Sequence, residues 1–474
     1  MITRLRQRWR SAGGYREVLD LAFPLIISSG SWSIQSFVDR MFLTWYSPEA
    51  LAASMPAGWL HWTLVSLFTG TALYVNTFVA QYYGAGLHRR IGAVVWQGIY
   101  LAPLTALCML PVFPLAGDIF ALAGHPPPVQ ALETVYLRIL LLSGPFWVIF
   151  NAGSGFFSGL GHTRVVMWVN LLGTGMNMLL DYLWVFGYGG FPRMGIAGAA
   201  WATTVSAVFM AGAFLGLMWR RGYRERFATT AWRFQGRLFR RLLRFGLPTG
   251  IQFTLEMVAF TIFLLLVGKL GVVELAASNI AFNVNSLAFL PMWGMTVAVS
   301  TLVGQRLGEN CPRLAERSTW SAFHLGFGYF AFLALLYYLI PEVFIWPFAV
   351  GADPEQFQPI HDLTVVLLRF VAFYCLFDAG NMVFSGALKG AGDTRFVAVA
   401  STGLSWVLML IPGLISLYWL GGNIYWLWSL ATLYICVLCL VFWGRFRQGR
   451  WKTMRVIESA PTKSKVIDAG EVER

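Results

Sequence analysis

Along the chain, apolar residues gather into runs of about 20 or more, the length of a helix that crosses a membrane, with short polar, Gly or Pro breaks between them. Six runs fall near 19–45, 57–82, 91–115, 132–158, 165–188 and 195–219. Six more fall near 241–268, 278–304, 318–341, 361–388, 396–418 and 424–444. A membrane barrel would show alternating strands of roughly ten residues, and the sequence has none. The pattern predicts an all-α integral membrane protein with twelve transmembrane helices.

Composition narrows the class. The 474 residues are 57% hydrophobic and 12% charged, against about a quarter charged in a soluble domain, and the mean hydropathy is +0.62. The 21 Trp suit a chain with two membrane interfaces, where amphipathic rings settle. A net charge of +13 could signal nucleic acid, but its placement argues otherwise. The basic connections are the N-terminal segment, "GAGLHRR", "GHTR", residues 220–244, "QRLGENCPRLAER", "KGAGDTR" and the tail from Arg445. The alternate connections, such as "YSPEALAAS", "GDIFALAGHPPPVQ" and "PFAVGADPEQFQP", carry almost no Lys or Arg, with Arg193 and Lys269 as exceptions. That alternation is the mark of cytoplasmic loops, so both termini are expected in the cytoplasm and no nucleic-acid partner is expected. The apolar stretch after "MITRLRQRWRSAGG" is too long for a signal peptide and has no small-residue cleavage site, so it reads as a retained first span.

The five cysteines form no disulfide framework, and the "CVLC" pair, Cys436 and Cys439, reads as small packing residues on a span. The six His are scattered and no nucleophile constellation appears, which counts against a polytopic membrane enzyme. "KGAGDT" is too short for a phosphate loop and recurs as "GLGHT", so it reads as a tight turn.

The two halves are copies. "LAAS" occurs at 51–54 and again at 275–278, and the same shift of 224 pairs Pro24 with Pro248, Gly70 with Gly294, Gln81 with Gln305 and Gly84 with Gly308. Further on, "SGLGHTR" and "KGAGDTR" match at a shift of 231. Six spans per half, both starting on one side, make a parallel repeat, and two such bundles facing each other are a transporter architecture. A channel would show a filter sequence, and none is visible. The expected organisation is a cytoplasmic segment 1–18, an N-lobe 19–219, a basic linker 220–240, a C-lobe 241–444 and a disordered cytoplasmic tail 445–474.

Few carboxylates lie inside apolar runs: Asp39, Asp181, Glu256 and Asp378. Acids at membrane depth are costly and mark ion or proton pathways. Asp39 adjoins Arg40, but successive helical residues point about 100° apart, which makes a poor local pair. Asn177 and Asp181 sit one turn apart and could chelate a cation or share a proton. Glu256 and Asp378 come from different helices of one half, so they can meet only if that half packs as a bundle. Lys389 reads as a helix-end anchor that snorkels to the interface. A carboxylate in a low-dielectric site persists when protonated or when a cation sits against it. An aromatic cation can replace that positive charge, helped by Trp and Phe faces, and mutual exclusion of the two gives antiport by reciprocal linkage.

Several segments together resemble the multidrug and toxic compound extrusion (MATE) family over residues 15 to 445. They are "PLIISSGSWSIQSFVDRMFL", "LAAS", "VAQYYGAG", "SGLGHTR", "NMLLDYLWVFG", "GIAGAAWATTVS", "LPTGIQFTLEMVAF" and "YCLFDAGNMVFSGALKGAGDTR". The resemblance leans to the bacterial NorM-like branch. It implies two pseudo-symmetric six-helix bundles forming a V-shaped cavity. It also implies secondary active efflux of organic, cationic or amphipathic compounds in exchange for sodium ion or proton. No cofactor is implied, and the chain is expected as a monomer in the lipid bilayer of a bacterial inner membrane. Asp39 matches the family's acid in the first span. Glu256 and Asp378 match the NorM-like branch's cation-binding acids, where a sodium ion is implied. Asn177 and Asp181 match an amino-lobe pair of another bacterial branch, with Thr203 as a partner from span six. Both sets are present, so the coupling lobe stays open. The rival within the superfamily, a lipid-linked oligosaccharide flippase, wants a strongly cationic cavity, whereas the intramembrane charges here are mostly acidic.

Overall fold

The computed structural model describes residues 11–350, 353–419 and 421–458, together with Trp9. Twelve long helices follow one another along these residues. The first six are α1 (Tyr15–Tyr46), α2 (Pro48–Gly84), α3 (His88–Met109), α4 (Pro127–Gly159), α5 (Thr163–Phe186) and α6 (Ile196–Met218). The second six are α7 (Gly236–Gly268), α8 (Val272–Gly308), α9 (Pro312–Leu339), α10 (Pro354–Ala391), α11 (Thr394–Trp419) and α12 (Ile424–Arg447). Ten of them are singly long and apolar enough to cross a bilayer. α8 meets the same standard as two segments, Val272–Ser286 and Ala288–Gly308, joined at a 43° bend. Pro291 accounts for the place of that bend, because its ring opposes the carbonyl four residues earlier. α5 falls short in apolarity, since Asn170, Asn177 and Asp181 interrupt it. Its 24 residues still give about 36 Å of helix, enough for a core of about 30 Å.

The helices outrun the apolar runs because their caps are polar. Ser47 accepts from the Ala50 N–H at 3.0 Å, Asp353 from Glu355 at 3.1 Å and Asn423 from Trp426 at 3.1 Å. Each satisfies a first-turn donor that has no partner within its helix. α3 ends sooner than the run 91–115 suggested. The chain turns at Leu110 and Pro111 into a separate helix, Val112–Leu122, and a matching short helix, Pro341–Ala349, follows α9. The first straddles the end of the run 91–115 and the connection after it, and the second lies almost wholly in the connection after the run 318–341.

Within the first six helices α2 packs on α4, α4 on α6, and α1 on α5; in the second six α8 packs on α10, α10 on α12, and α7 on α11. These are the same contacts shifted by one repeat, so the fold is two pseudo-symmetric bundles. The lobes meet through α1 with α8, α7 with α2, and α2 with α8. Here the recurring letters of the sequence find their physical reason. A side chain at Gly84 would overlap the Gln305 backbone carbonyl, and one at its mate Gly308 would overlap that of Gln81. Small residues let membrane helices approach at backbone distance. Gln81 Nε2 donates to the Gly390 carbonyl across the seam at 3.0 Å, and its mate Gln305 donates to the Gly159 carbonyl at 2.8 Å. Thr301 donates to Asn76 Oδ1 at 3.1 Å, and the equivalent Thr77 lies 3.3 Å from Ser300 Oγ.

These bonds lie in the half of each helix nearer one membrane face. Both described chain ends lie there too: Arg317 donates to Ser11 at 2.6 Å and Lys452 pairs with the adjacent Glu316 at 2.7 Å. That face is termed the terminal side below. The tail, expected to be without order from residue 445, is instead built into the fold as far as Glu458. Arg445 and Arg447 still belong to α12, and Trp451, Val456 and Ile457 are buried. Residues 459–474 lie outside the described residues.

Candidate functional site: two acid clusters in the lobes

The first cluster joins α1, α5 and α6. Asp181 and Asn177 face inward from one side of α5, with 1% and 0% of their surfaces exposed. Asp39 on α1 is half-buried opposite them. Its carboxyl is close enough to that of Asp181 for each to act on the other, and adjacent carboxylates do not both ionise readily. With the Asn177 amide oriented by its partners, its nitrogen donates to Asp39 Oδ1 at 3.1 Å and its oxygen accepts from the Thr203 backbone N–H at 3.2 Å. Thr203 thus contributes main chain rather than hydroxyl. Gln35, one turn before Asp39, is buried beside the same amide and accepts from the Thr174 hydroxyl at 3.4 Å. Tyr136 on α4 lies within electrostatic reach of both acids.

Arg40 points away and is exposed. No ion pair joins it to Asp39 among the described residues, so Asp39 turns inward to its amide and acid partners. Asp181 Oδ1 is buried without a hydrogen-bond donor. A carboxyl pair with an unengaged oxygen fits a proton or a hard cation, both of which seek oxygen.

The second cluster lies among α7, α10, α11 and α12. Glu256 and Asp378 are both half-buried and sense each other's charge, and both act on Tyr434. No direct hydrogen bond links them among the described residues. Gln252, one turn before Glu256, donates to Glu256 Oε1 at 2.8 Å and to Ser401 Oγ at 3.1 Å. Ser401 precedes a π-helical stretch of α11, Ser405–Leu410, a local widening frequent at functional sites. Asn381 donates to the Ile435 carbonyl at 3.1 Å and lies 3.4 Å from Asp378 Oδ1. Gln252 Oε1 and Asn381 Oδ1 are buried and unpartnered, so this pocket also offers free oxygens. Lys389, in the last turn of α10, is half-buried within electrostatic reach of Glu256.

The six residues singled out from sequence therefore fall into two groups, one per lobe. Gln35, Tyr136, Gln252, Ser401 and Asn381 were missed. For the two glutamines a signal existed: each lies one turn before an intramembrane acid, in "QSFVD" and "QFTLE". The clusters are not mates under the repeat. At the shift of 224, Asp39 corresponds to Phe263 and Glu256 to Trp32, so a symmetric scaffold carries different chemistry in each lobe. No group of three or more His, Cys, Asp or Glu is arranged for a metal among the described residues.

The profile of the MatE family matches twice, over residues 24–183 and 248–415, one match in each lobe. The chain belongs to the MatE family. Among curated MatE-type relatives, it is 30% identical over 462 residues to a "Probable multidrug resistance protein NorM" of Pseudomonas putida, covering 95% of this chain and 97% of that one. It is 28% identical over 437 residues to the protein of the same name from Brucella suis, with 90% and 92% covered. Among solved structures, a MOP superfamily transporter from Pyrococcus furiosus superposes with a TM-score of 0.84 at 20% identity, covering 94% of this chain and 98% of that one. The MatE fold is thus shared along nearly the whole chain.

Proposed function

We propose that this MatE protein is a secondary active antiporter that exports organic, cationic or amphipathic compounds in exchange for sodium ion or proton. The observation that carries the reading is the Asp39–Asp181 carboxyl pair, brought together from two helices and held by Asn177. The relatives' names, multidrug resistance proteins, support the cargo class. Asp39, Asn177, Asp181 and Thr203 form the exchange site of the N-lobe. Glu256 and Asp378, with the free oxygens of Gln252 and Asn381, form a second cation site suited to sodium. The lobes 19–219 and 241–444 rock about the seam as units, joined by the linker 220–240. The protein works as a monomer in the inner membrane of a bacterium, with both termini cytoplasmic because the basic connections lie on their side. The conformation described is then closed to the cytoplasm.

Occupancy of the acids by ion or by cargo supplies the exchange. A cation that neutralises Asp39 and Asp181 removes the charge that holds a cationic cargo, and the reverse holds by linkage. The test is uptake of the fluorescent cation ethidium into inverted vesicles, with sodium and proton gradients imposed separately. Accumulation under at least one lumen-high gradient, and none without a gradient, is expected. Accumulation equal to that of vesicles lacking the protein under both gradients, or full accumulation without any gradient, would contradict the reading.

A further inference from the structure

Beyond α12 the chain does not leave the molecule. It turns at Gly449, where φ is 73°, and the indole of Trp451 stacks on Phe446 at 4.9 Å and donates to the Phe446 carbonyl at 2.8 Å. Lys452 pairs with Glu316 on α9 at 2.7 Å. These contacts fix the segment to the C-lobe and aim residues 454–458 along the lobe's terminal side toward the seam.

There the segment crosses to the other lobe. Val456 is fully buried, and its backbone N–H donates to Gln81 Oε1 on α2 at 2.9 Å. Gln81 already donates to Gly390 of the C-lobe, so both ends of its amide are held by the opposite lobe. The next residue on α2, Tyr82, donates its hydroxyl to Glu458 at 2.8 Å. Glu458 in turn pairs with Arg241, at the start of α7, at 2.8 Å. A hydroxyl bonded to a carboxylate is about twice as strong as a neutral hydrogen bond.

The repeat supplies an internal control. Gln305, the mate of Gln81, makes the equivalent bond to Gly159 but lines a cavity of about 480 Å³ with Trp9, Ser11, Arg16 and Glu17. The stretch after α6, which corresponds in order to the stretch after α12, stays on its own lobe: Trp96 donates to the Thr229 carbonyl at 2.7 Å. One of the two symmetric clasps is therefore strapped and the other is not.

We infer that residues 454–458 are a latch that holds the lobes together on the terminal side, and that its release from Gln81 and Tyr82 is a step in opening that side. The latch travels with the C-lobe, whereas its two partners, Gln81 and Tyr82, travel with the N-lobe. Any rocking that parts the seam must break both bonds.

The latch is tested by labelling a seam cysteine in the full chain. Ser300→Cys, with Cys311→Ser to remove the cysteine of the terminal-side loop, places a thiol between the lobes. Labelling of the same chain without Ser300→Cys is subtracted. Val456→Pro removes the donor to Gln81, and Tyr82→Phe removes only the hydroxyl bonded to Glu458. A chain ended after Glu458 lacks just residues 459–474. An impermeant maleimide applied from the terminal side is expected to react several-fold faster with the Val456→Pro protein, and about tenfold faster with Tyr82→Phe, than with the parent, the scale of losing a neutral and a charge-assisted bond. The chain ended after Glu458 is expected to match the parent. Unchanged or slower labelling in Tyr82→Phe overturns the latch even if Val456→Pro does not fold. Labelling raised equally by ending the chain after Glu458 also overturns it. The readout needs no transport, so failure of the exchange reading at the acids leaves this test intact.

Discussion

Asp39→Asn is expected to abolish gradient-driven export while leaving the protein folded in the membrane. Asparagine keeps the shape and can still meet Asn177 and Asp181, so the loss in stability is about 1 kcal/mol, the net worth of one hydrogen bond. What it cannot do is alternate between charged and neutral, and exchange depends on that alternation. Ethidium uptake under either gradient should fall to the level of vesicles without the protein, a loss on the order of 100-fold or more for a group on which the whole cycle depends. Asp181→Asn should do the same, and the double variant should be no worse than either single one, because two carboxyls that act on each other form one unit. Yield and monodispersity after purification separate this outcome from misfolding. Coupled uptake at parental rates by Asp39→Asn would remove the residue from the exchange site.

A second large effect is expected at the seam. Gly84→Leu forces a side chain into the Gln305 backbone carbonyl, and Gly308→Leu does the same to Gln81. Backbone on a packed helix has nowhere to retreat, so the terminal side cannot close. Each lobe keeps its own core, so the variants should insert and purify. Export should stop in both, since a carrier that cannot close one side cannot complete a cycle. The Ser300→Cys reporter should label as if the terminal side were permanently open. Parental transport in Gly84→Leu would mean that the lobes do not meet there during the cycle.

The spans were legible because they are local patterns, and the repeat because the same letters recur at one fixed shift. A run of apolar residues has one economical solution in a bilayer, where every backbone group must bond within its helix. The recurring Gly and Gln stood out because each lobe offers the other the same surface, Gly84 against Gln305 and Gly308 against Gln81. The break at Pro111 was lost because apolar letters run straight through it and hydropathy carries no direction. The order of residues 448–458 was hidden by their mixed charge, which reads as solvated; Lys452 and Val456 become structural only once α9 and α2 are alongside.

The acids were legible one by one, as charges at membrane depth. Their pairing was not. Asp39 meets Asp181 across 142 positions of chain, a contact that the packing of α1 on α5 creates and no spacing announces. The supporting amides of Gln35 and Gln252 were overlooked because an uncharged side chain in a helix attracts little notice. Lys389 lies in the last turn of α10, as its place in the sequence suggested, but that its charge reaches Glu256 depends on the packing of two helices and was not legible.

The central claim is that ion and cargo exclude each other at the Asp39–Asp181 pair. The most direct measurement is the dissociation constant of ethidium for the purified protein, taken across a series of proton concentrations and, separately, of sodium concentrations. The account predicts that affinity weakens in proportion to one of these ions once that ion saturates the site, and that Asp39→Asn removes the dependence. An ethidium affinity that stays constant across both series in the parent protein would contradict it.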